Sequence, residues 1–352
     1  METQGGTLYM KCKSLKKFGI TILSVGILAL TLVGCGDNST TSKNKDDDSK
    51  YTHRVILVSD MHYTTEQTKE EYKQQYPDAI ASDASGKTFG YTQEEKIEAI
   101  LDDIEDFSER QSVDAVMVLG DLSLDDYGYR NLPLSYLKEV KKELLDELNF
   151  PWYAIAGNHD SYPNEEWKAI IGTDRQYSVK IGDAAFIMLD TFADELATSA
   201  SGSPYVGVDI EWLEKELEKY PTESIFLCTH FYKPSATDYK FKKLLKDNPR
   251  IACIFRGHTH KSTLLAPEEL NFTILADIGG YAYDGDDSSG TWDFSQFNDR
   301  WAWGYQVLEW NETEARIYHV KTPRTYTGSN GTFNFPGGIE EDTIIKFKID
   351  EK

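Results

Sequence analysis

Five short apolar runs in this chain each stop at a polar motif, and those motifs hold five of its seven histidines. In order they are Asp60-Met61-His62, Gly120-Asp121, Gly157-Asn158-His159-Asp160, His230 and Gly257-His258-Thr259-His260. The run before the first motif, Val55-Ile56-Leu57-Val58, has no polar residue. A strand of that kind is buried on both faces, as strands of parallel sheets are. Between the runs lie segments with helical periodicity. In 93–110, for example, Ile97, Ile100, Leu101, Ile104 and Phe107 recur at three- and four-residue spacing.

The spacing predicts further strands over 113–119, 152–156, 184–189, 224–228, 251–255 and 272–278. It predicts helices over 93–110, 134–148, 209–220 and 238–246. Strands alternating with helices define an α/β fold with helices packed on buried strands. Ligands of such folds gather at the carboxyl ends of the strands, where all five motifs fall. Aspartate, asparagine and histidine together are a ligand set for divalent metals. Two such ions can hold a phosphate ester and generate hydroxide at neutral pH.

The ordered series resembles the calcineurin-like metallophosphoesterase family over residues 55–278. The resemblance implies a four-layer α/β/β/α sandwich and a pair of divalent or trivalent ions, Mn, Fe or Zn. It implies that Asp60, His62 and His260 hold the first ion and that Asp121 bridges both. Asn158, His230 and His258 are then the ligands of the second. His159 is implied to face the substrate and to stabilise or protonate the leaving oxygen, with Asp160 as its orienting partner. The implied reaction is hydrolysis of a small phosphodiester or phosphomonoester by a metal-bridging hydroxide. A second reading is a catalytically weak, lipid-anchored binding protein for a phosphorylated ligand. A degenerate relative of that sort is expected to have lost Asp121 or His159, and both are present. The sequence has no G-x-S-x-G and no P-loop, so serine-hydrolase and NTPase chemistry lack their motifs.

Charge narrows the substrate. The chain has 59 acidic and 37 basic residues, a net charge of −22. Such a surface repels polyanions, so long nucleic acid is a poor partner. A small phosphoester stays compatible, because bound cations dominate the field inside a metal site.

The N-terminus reads as a targeting segment. Lys11, Lys13, Lys16 and Lys17 precede an apolar run over 18–33, and Leu32-Val33-Gly34-Cys35 resembles the bacterial lipobox. Residues 1–34 are therefore expected to be a lipoprotein signal peptide, with translation starting at Met1 or Met10 and Cys35 lipidated into the membrane. Its removal takes away four lysines and one glutamate, leaving a net charge near −25. Residues 35–50 read as a disordered tether. The catalytic domain is expected over 51–322, with a β-rich extension over 323–352 packed on it and turns at Ser329-Asn330-Gly331 and Pro336-Gly337-Gly338. The location implied is outside the cytoplasm, on the cell membrane.

Other residues carry weaker signals. His53 and His319 read as structural. Asp190 ends a Leu-Asp-Thr stretch and suits loop geometry near the site. Arg256 is expected to face away from the metals, and Asp277 and Asp284 have no defined role. Cys228 and Cys253 read as core thiols, with a bond between them left open. An insertion over 63–91 and an aromatic segment over 281–310 are open to two readings, core packing or a wall that stacks on a base or sugar.

Overall fold

Neighbouring residues of the first strand point into two different cores. Ile56 and Val58 belong to one apolar cluster, Val55 and Leu57 to another. That is why the run has no polar position: a period of two with both faces buried leaves none.

The computed structural model describes residues 50–63, 93–123, 136–160, 162–194, 203–233, 239–259, 263–266, 268–270, 273–278, 304–328, 331–339 and 344–349. The lipobox, the tether, most of the 63–91 insertion, His260, Asp284 and the aromatic residues over 281–303 lie outside them.

In chain order the elements are β1 (His53–Val58), α1 (Gln93–Arg110), β2 (Ala115–Leu119), α2 (Tyr136–Glu143), β3 (Trp152–Ile155), α3 (Asn164–Ile171), β4 (Tyr177–Ile181), β5 (Ala184–Leu189), α4 (Ile210–Leu217), β6 (Ser224–Thr229), α5 (Tyr239–Asp247), β7 (Ile251–Arg256), β8 (Thr263–Leu265), β9 (Ile274–Asp277), β10 (Gly304–Trp310), β11 (Glu314–Lys321), β12 (Arg324–Gly328), β13 (Gly331–Phe335), β14 (Gly338–Ile339) and β15 (Ile345–Lys348). One sheet runs β14-β11-β10-β1-β2-β3, with β15 also beside β11. The second runs β4-β5-β6-β7-β9-β8. β1, β2 and β3 are parallel, and so are β5, β6, β7 and β9. The carboxyl ends within each parallel set therefore share one edge of the sheet.

The two sheets pack face to face. Val55, Leu57, Met117 and Leu119 of the first meet Phe186, Met188, Phe226 and Phe255 of the second. Trp310 seals this layer against Phe186 and Phe226, with ring centroids 5.5 and 5.9 Å apart, and its indole N–H donates to Asp183 at 2.9 Å. On the outer face of the first sheet lie Ile97, Ile100 and Ile104 of α1, Leu137 and Val140 of α2, and Trp167 of α3. On the outer face of the second lie Leu213 and Leu217 of α4 and Phe241 and Leu244 of α5. The result is the α/β/β/α sandwich.

Several details differ from the sequence reading. The helix over 134–148 is α2 followed by a 3-10 turn at Leu145–Glu147. The break falls at Leu144, whose φ of −121° lies outside the α-helical range. The sequence reading missed α3, whose eight residues bury only Trp167 and Ile171, and β4, a half-buried edge strand. Tyr305 and Trp310 of the aromatic segment are fully buried core residues. Cys228 and Cys253 are free, buried thiols. His53 stacks on Trp310 with centroids 5.2 Å apart, and His319 is buried in β11. Among the described residues no helix is long and apolar enough to cross a membrane.

Candidate metal centre

Among the described residues, the non-glycine positions with positive φ are Asp60 (59°), His62 (43°), Asp121 (50°) and His258 (67°). All four are ligands expected from the motif series. Each such conformation costs on the order of 1–3 kcal/mol and survives only where the surroundings fix it.

The fixing is visible in the backbone. Beyond the sheet, the loop after β1 stays bonded to the loop after β2. Asp60 N–H donates to Gly120 O at 3.0 Å, His62 N–H to Asp121 O at 2.9 Å and Tyr63 N–H to Leu122 O at 3.0 Å. The loop after β3 joins through Asp160. Its buried carboxylate accepts from the N–H groups of Gly157 (2.9 Å), Leu122 (3.0 Å) and Ser123 (3.0 Å), and from the Ser123 hydroxyl (3.1 Å). Asp160 therefore braces two loops, a role the sequence reading did not give it. The residue type and motif gave no sign of this, because apart from Gly157 the partners, Leu122 and Ser123, lie 38 and 37 positions away.

The second sheet contributes across the seam. His258 N–H donates to both Asp60 oxygens, at 3.1 and 3.0 Å. His230 Nδ1 donates to Leu119 O at 2.7 Å, which directs Nε2 into the site. Two glycines permit this closeness. Gly120 has φ 86°, and a Cβ there would meet the His230 ring at 2.5 Å. A Cβ on Gly157 would overlap the Asp121 carboxylate.

Two ligand groups result. Asp121, His230 and His258 each offer an atom within 4.8 Å of the others, and so do His62, Asp121 and His159. Asp121 belongs to both. In the first group His230 Nε2 lies 3.1 Å from Asp121 Oδ2, and His258 Nδ1 lies 3.3 Å from His230 Nε2 and 3.0 Å from Asn158 Oδ1. In the second, His62 Nε2 lies 3.7 Å from Asp121 Oδ2 and 3.9 Å from Asp60 Oδ1. Ligand atoms each about 2.0–2.2 Å from one ion lie at most about 4.4 Å apart, and the 3.0–3.9 Å separations around Asp121, His230 and His258 and around Asp60, His62 and Asp121 meet that limit. The donor set, mixed imidazole, carboxylate and amide oxygen, suits Mn, Fe or Zn. His159 was expected to leave the metals alone. Its ring nitrogen stands in the first-ion group, while its N–H donates to Asp121 Oδ1 at 2.8 Å.

Charge is concentrated here. Burial works against ionisation of Asp121, but the imidazoles of His230, His62 and His159 hold it well below the usual carboxylate range. Burial also opposes charge on His230, yet Asp121, Asp60 and the Leu119 carbonyl push it up to about 9. Asp160 is pushed up to about 6, by burial first and then by the charge of Asp121.

The residues left out of this group are accounted for. Arg256 pairs with Asp277 and donates to Tyr232 O. Asp190 accepts from Arg175 Nη2 at 3.1 Å and from Phe192 N–H at 3.1 Å, so it shapes the loop after β5.

The chain belongs to the calcineurin-like phosphoesterase family, whose sequence profile matches residues 53–262. That family is one of metal-dependent phosphoesterases. A 183-residue stretch is 24% identical to Uncharacterized protein YvnB of Bacillus subtilis (strain 168), covering 44% of this chain and 14% of that protein. The chain thus spans a small part of that relative's length. A dimetal phosphatase from Danio rerio is similar in structure, with TM-score 0.51 at 12% identity, covering 77% of this chain and 96% of that one. This is a likeness of fold. Vps29 from Entamoeba histolytica overlays with TM-score 0.34 at 12% identity, covering 84% and 99%, too loosely to carry any inference.

Proposed function

We propose that the protein hydrolyses a small phosphodiester or phosphomonoester at a dinuclear centre, outside the cytoplasm and anchored through Cys35. The observation that supports the dinuclear reading is the membership of Asp121 in both ligand groups. Its Oδ2 lies 3.1 Å from His230 Nε2 and 3.7 Å from His62 Nε2, so one carboxylate stands between the two sets. Asp60, His62 and His260 would hold one ion, and Asn158, His230 and His258 the other. Bound there, the ions supply Lewis acidity and a hydroxide nucleophile at neutral pH.

The chain's own groups do the rest. Asp60 and Asp121 set the negative charge that draws cations in. The Leu119 carbonyl holds the His230 ring in the tautomer that presents Nε2. His159 is half-buried, with its backbone tied to Asp121, so its ring can meet a bound ester. Protonated, it donates to the departing oxygen, a contribution of typically about 10²–10⁴ in rate.

The test is to strip the protein with chelator, reload it with Mn, Fe or Zn, and screen monoesters and diesters beside Asp121→Asn. Metal-dependent turnover absent from Asp121→Asn is the expected result. Turnover that survives chelation, or is equal in the variant, overturns the reading. For the location, palmitate labelling of wild type and Cys35→Ser decides: label in the variant, or none in wild type, removes the anchor.

A further inference from the structure

Two aromatic rings stand against the two second-ion imidazoles, and a third joins them. Phe231 lies 4.3 Å from His258, centroid to centroid, and Tyr205 lies 5.2 Å from Phe231. Phe192 lies 6.3 Å from Tyr205 and 5.8 Å from His230. Their exposure differs. Phe192 is buried, whereas Phe231, Tyr205 and His258 are each only partly covered. Asp60, His62, Asp121, Asn158 and His230 are all buried. Among the described residues, the accessible border of the centre on the His258 side is therefore made of Phe231 and Tyr205.

That border is held rigidly to the ligands. The segment with Tyr205 is tied at one end by Ser203 N–H to Asn158 O at 2.9 Å, and at the other by Val206 N–H to Thr191 O at 2.8 Å. Tyr205 also forms an isolated β-bridge with Phe192. The Phe231 carbonyl accepts from the Thr191 hydroxyl at 2.8 Å and the Thr229 hydroxyl at 3.2 Å. Core packing explains Phe192. It does not explain two half-exposed rings fixed beside a ligand, where a polar residue would cost less contact with water.

We infer that Phe231 and Tyr205 form a subsite that takes the flat aromatic group of the substrate, stacking it beside the second-ion ligands. The inference rests on the phosphoesterase reading and names its substrate class: esters carrying a nucleobase or aryl group, in preference to polyol esters. It places a stacking wall on the loops after β5 and β6, among the described residues.

The experiment separates binding from turnover. Affinities of phenylphosphonate and methylphosphonate for the Mn-loaded protein are measured by calorimetry, and hydrolysis of phenyl phosphate is followed in parallel. Wild type should favour the phenyl compound by about tenfold or more, the scale of one stacked ring. Phe231→Leu should lose most of that preference, and Phe231→Trp should keep it. Tyr205→Ala should lower it too. A preference unchanged in Phe231→Leu, or no preference in wild type, overturns the inference, and Phe231 is then only packing for His258. If the preference depends on Phe231 but no ester is hydrolysed, the subsite stands and the phosphoesterase reading fails.

Discussion

The backbone N–H of His258 donates to both oxygens of the Asp60 carboxylate, at 3.1 and 3.0 Å. Asp60 follows β1 of one sheet and His258 follows β7 of the other. Both residues have positive φ, 59° and 67°. One hydrogen-bonded pair thus closes the seam between the sheets and draws the loop with His258 to the Asp60 carboxylate.

This pair separates charge from structure at Asp60. Asp60→Asn keeps an acceptor for His258 N–H and loses the charge, so metal content should fall with little change in Tm of the metal-free protein. Asp60→Ala takes the acceptor from a part-buried N–H, which costs up to about 1–3 kcal/mol. Thermal unfolding of the two metal-free variants checks this: equal Tm values would mean that the hydrogen bond does not hold the seam.

Asp121→Ala should abolish both bound metal and activity, because that carboxylate serves both groups. His159→Ala should keep most of its metal and lose about 10²–10⁴ in kcat, as removal of a proton donor does. Metal analysis alongside kcat decides. Equal metal loss in both variants would make His159 a ligand, which its place in the first-ion group allows in geometry.

Asp160→Ala strips the acceptor from three backbone N–H groups and a hydroxyl. Hydrogen bonds to a charged group contribute about 1.5–3 kcal/mol each, and buried donors left unpaired are costly. The variant should unfold at lower denaturant by several kcal/mol in total, and metal affinity should fall with it as the loops after β2 and β3 part. A variant as stable as wild type would remove the bracing role.

The cluster of Asp60, His62, Asp121, Asn158, His230 and His258 was legible because their motifs sit at the ends of strands whose apolar runs are unmistakable. Val55 to Val58 shows its double burial in four consecutive letters. Asp160 was visible as a residue but not as a brace, since its acceptor role depends on the folded loops. Phe231 and Tyr205 carried no local signal: they are 26 positions apart, and only the β-bridge and the Thr191 bonds place them side by side. α3 escaped because two buried residues in eight give too short a period to read.

The protonation of His230 sets a pH dependence. Its value in the folded, metal-free protein is raised from 6.5 to about 9. A raised value means stability that is fully present below pH 6.5 and lost as pH rises through about 9. Metal-free wild type should therefore lose stability over that window, and His230→Asn should lose less. Metal uptake at pH 7 must expel the proton, so affinity should rise with pH up to about 9. Thermal melts from pH 6.5 to 9.5, with proton release measured during Mn titration, check both; a flat Tm and no released proton would contradict the assignment.

The central claim is that Asp121 joins two ions. Crystals of the Mn-loaded protein, with anomalous scattering recorded at the metal edge, test it most directly. Two peaks should appear roughly 3.5–4 Å apart, both against Asp121, one beside Asp60 and His62 and the other beside Asn158, His230 and His258. A single peak, or two of which only one touches Asp121, would contradict it.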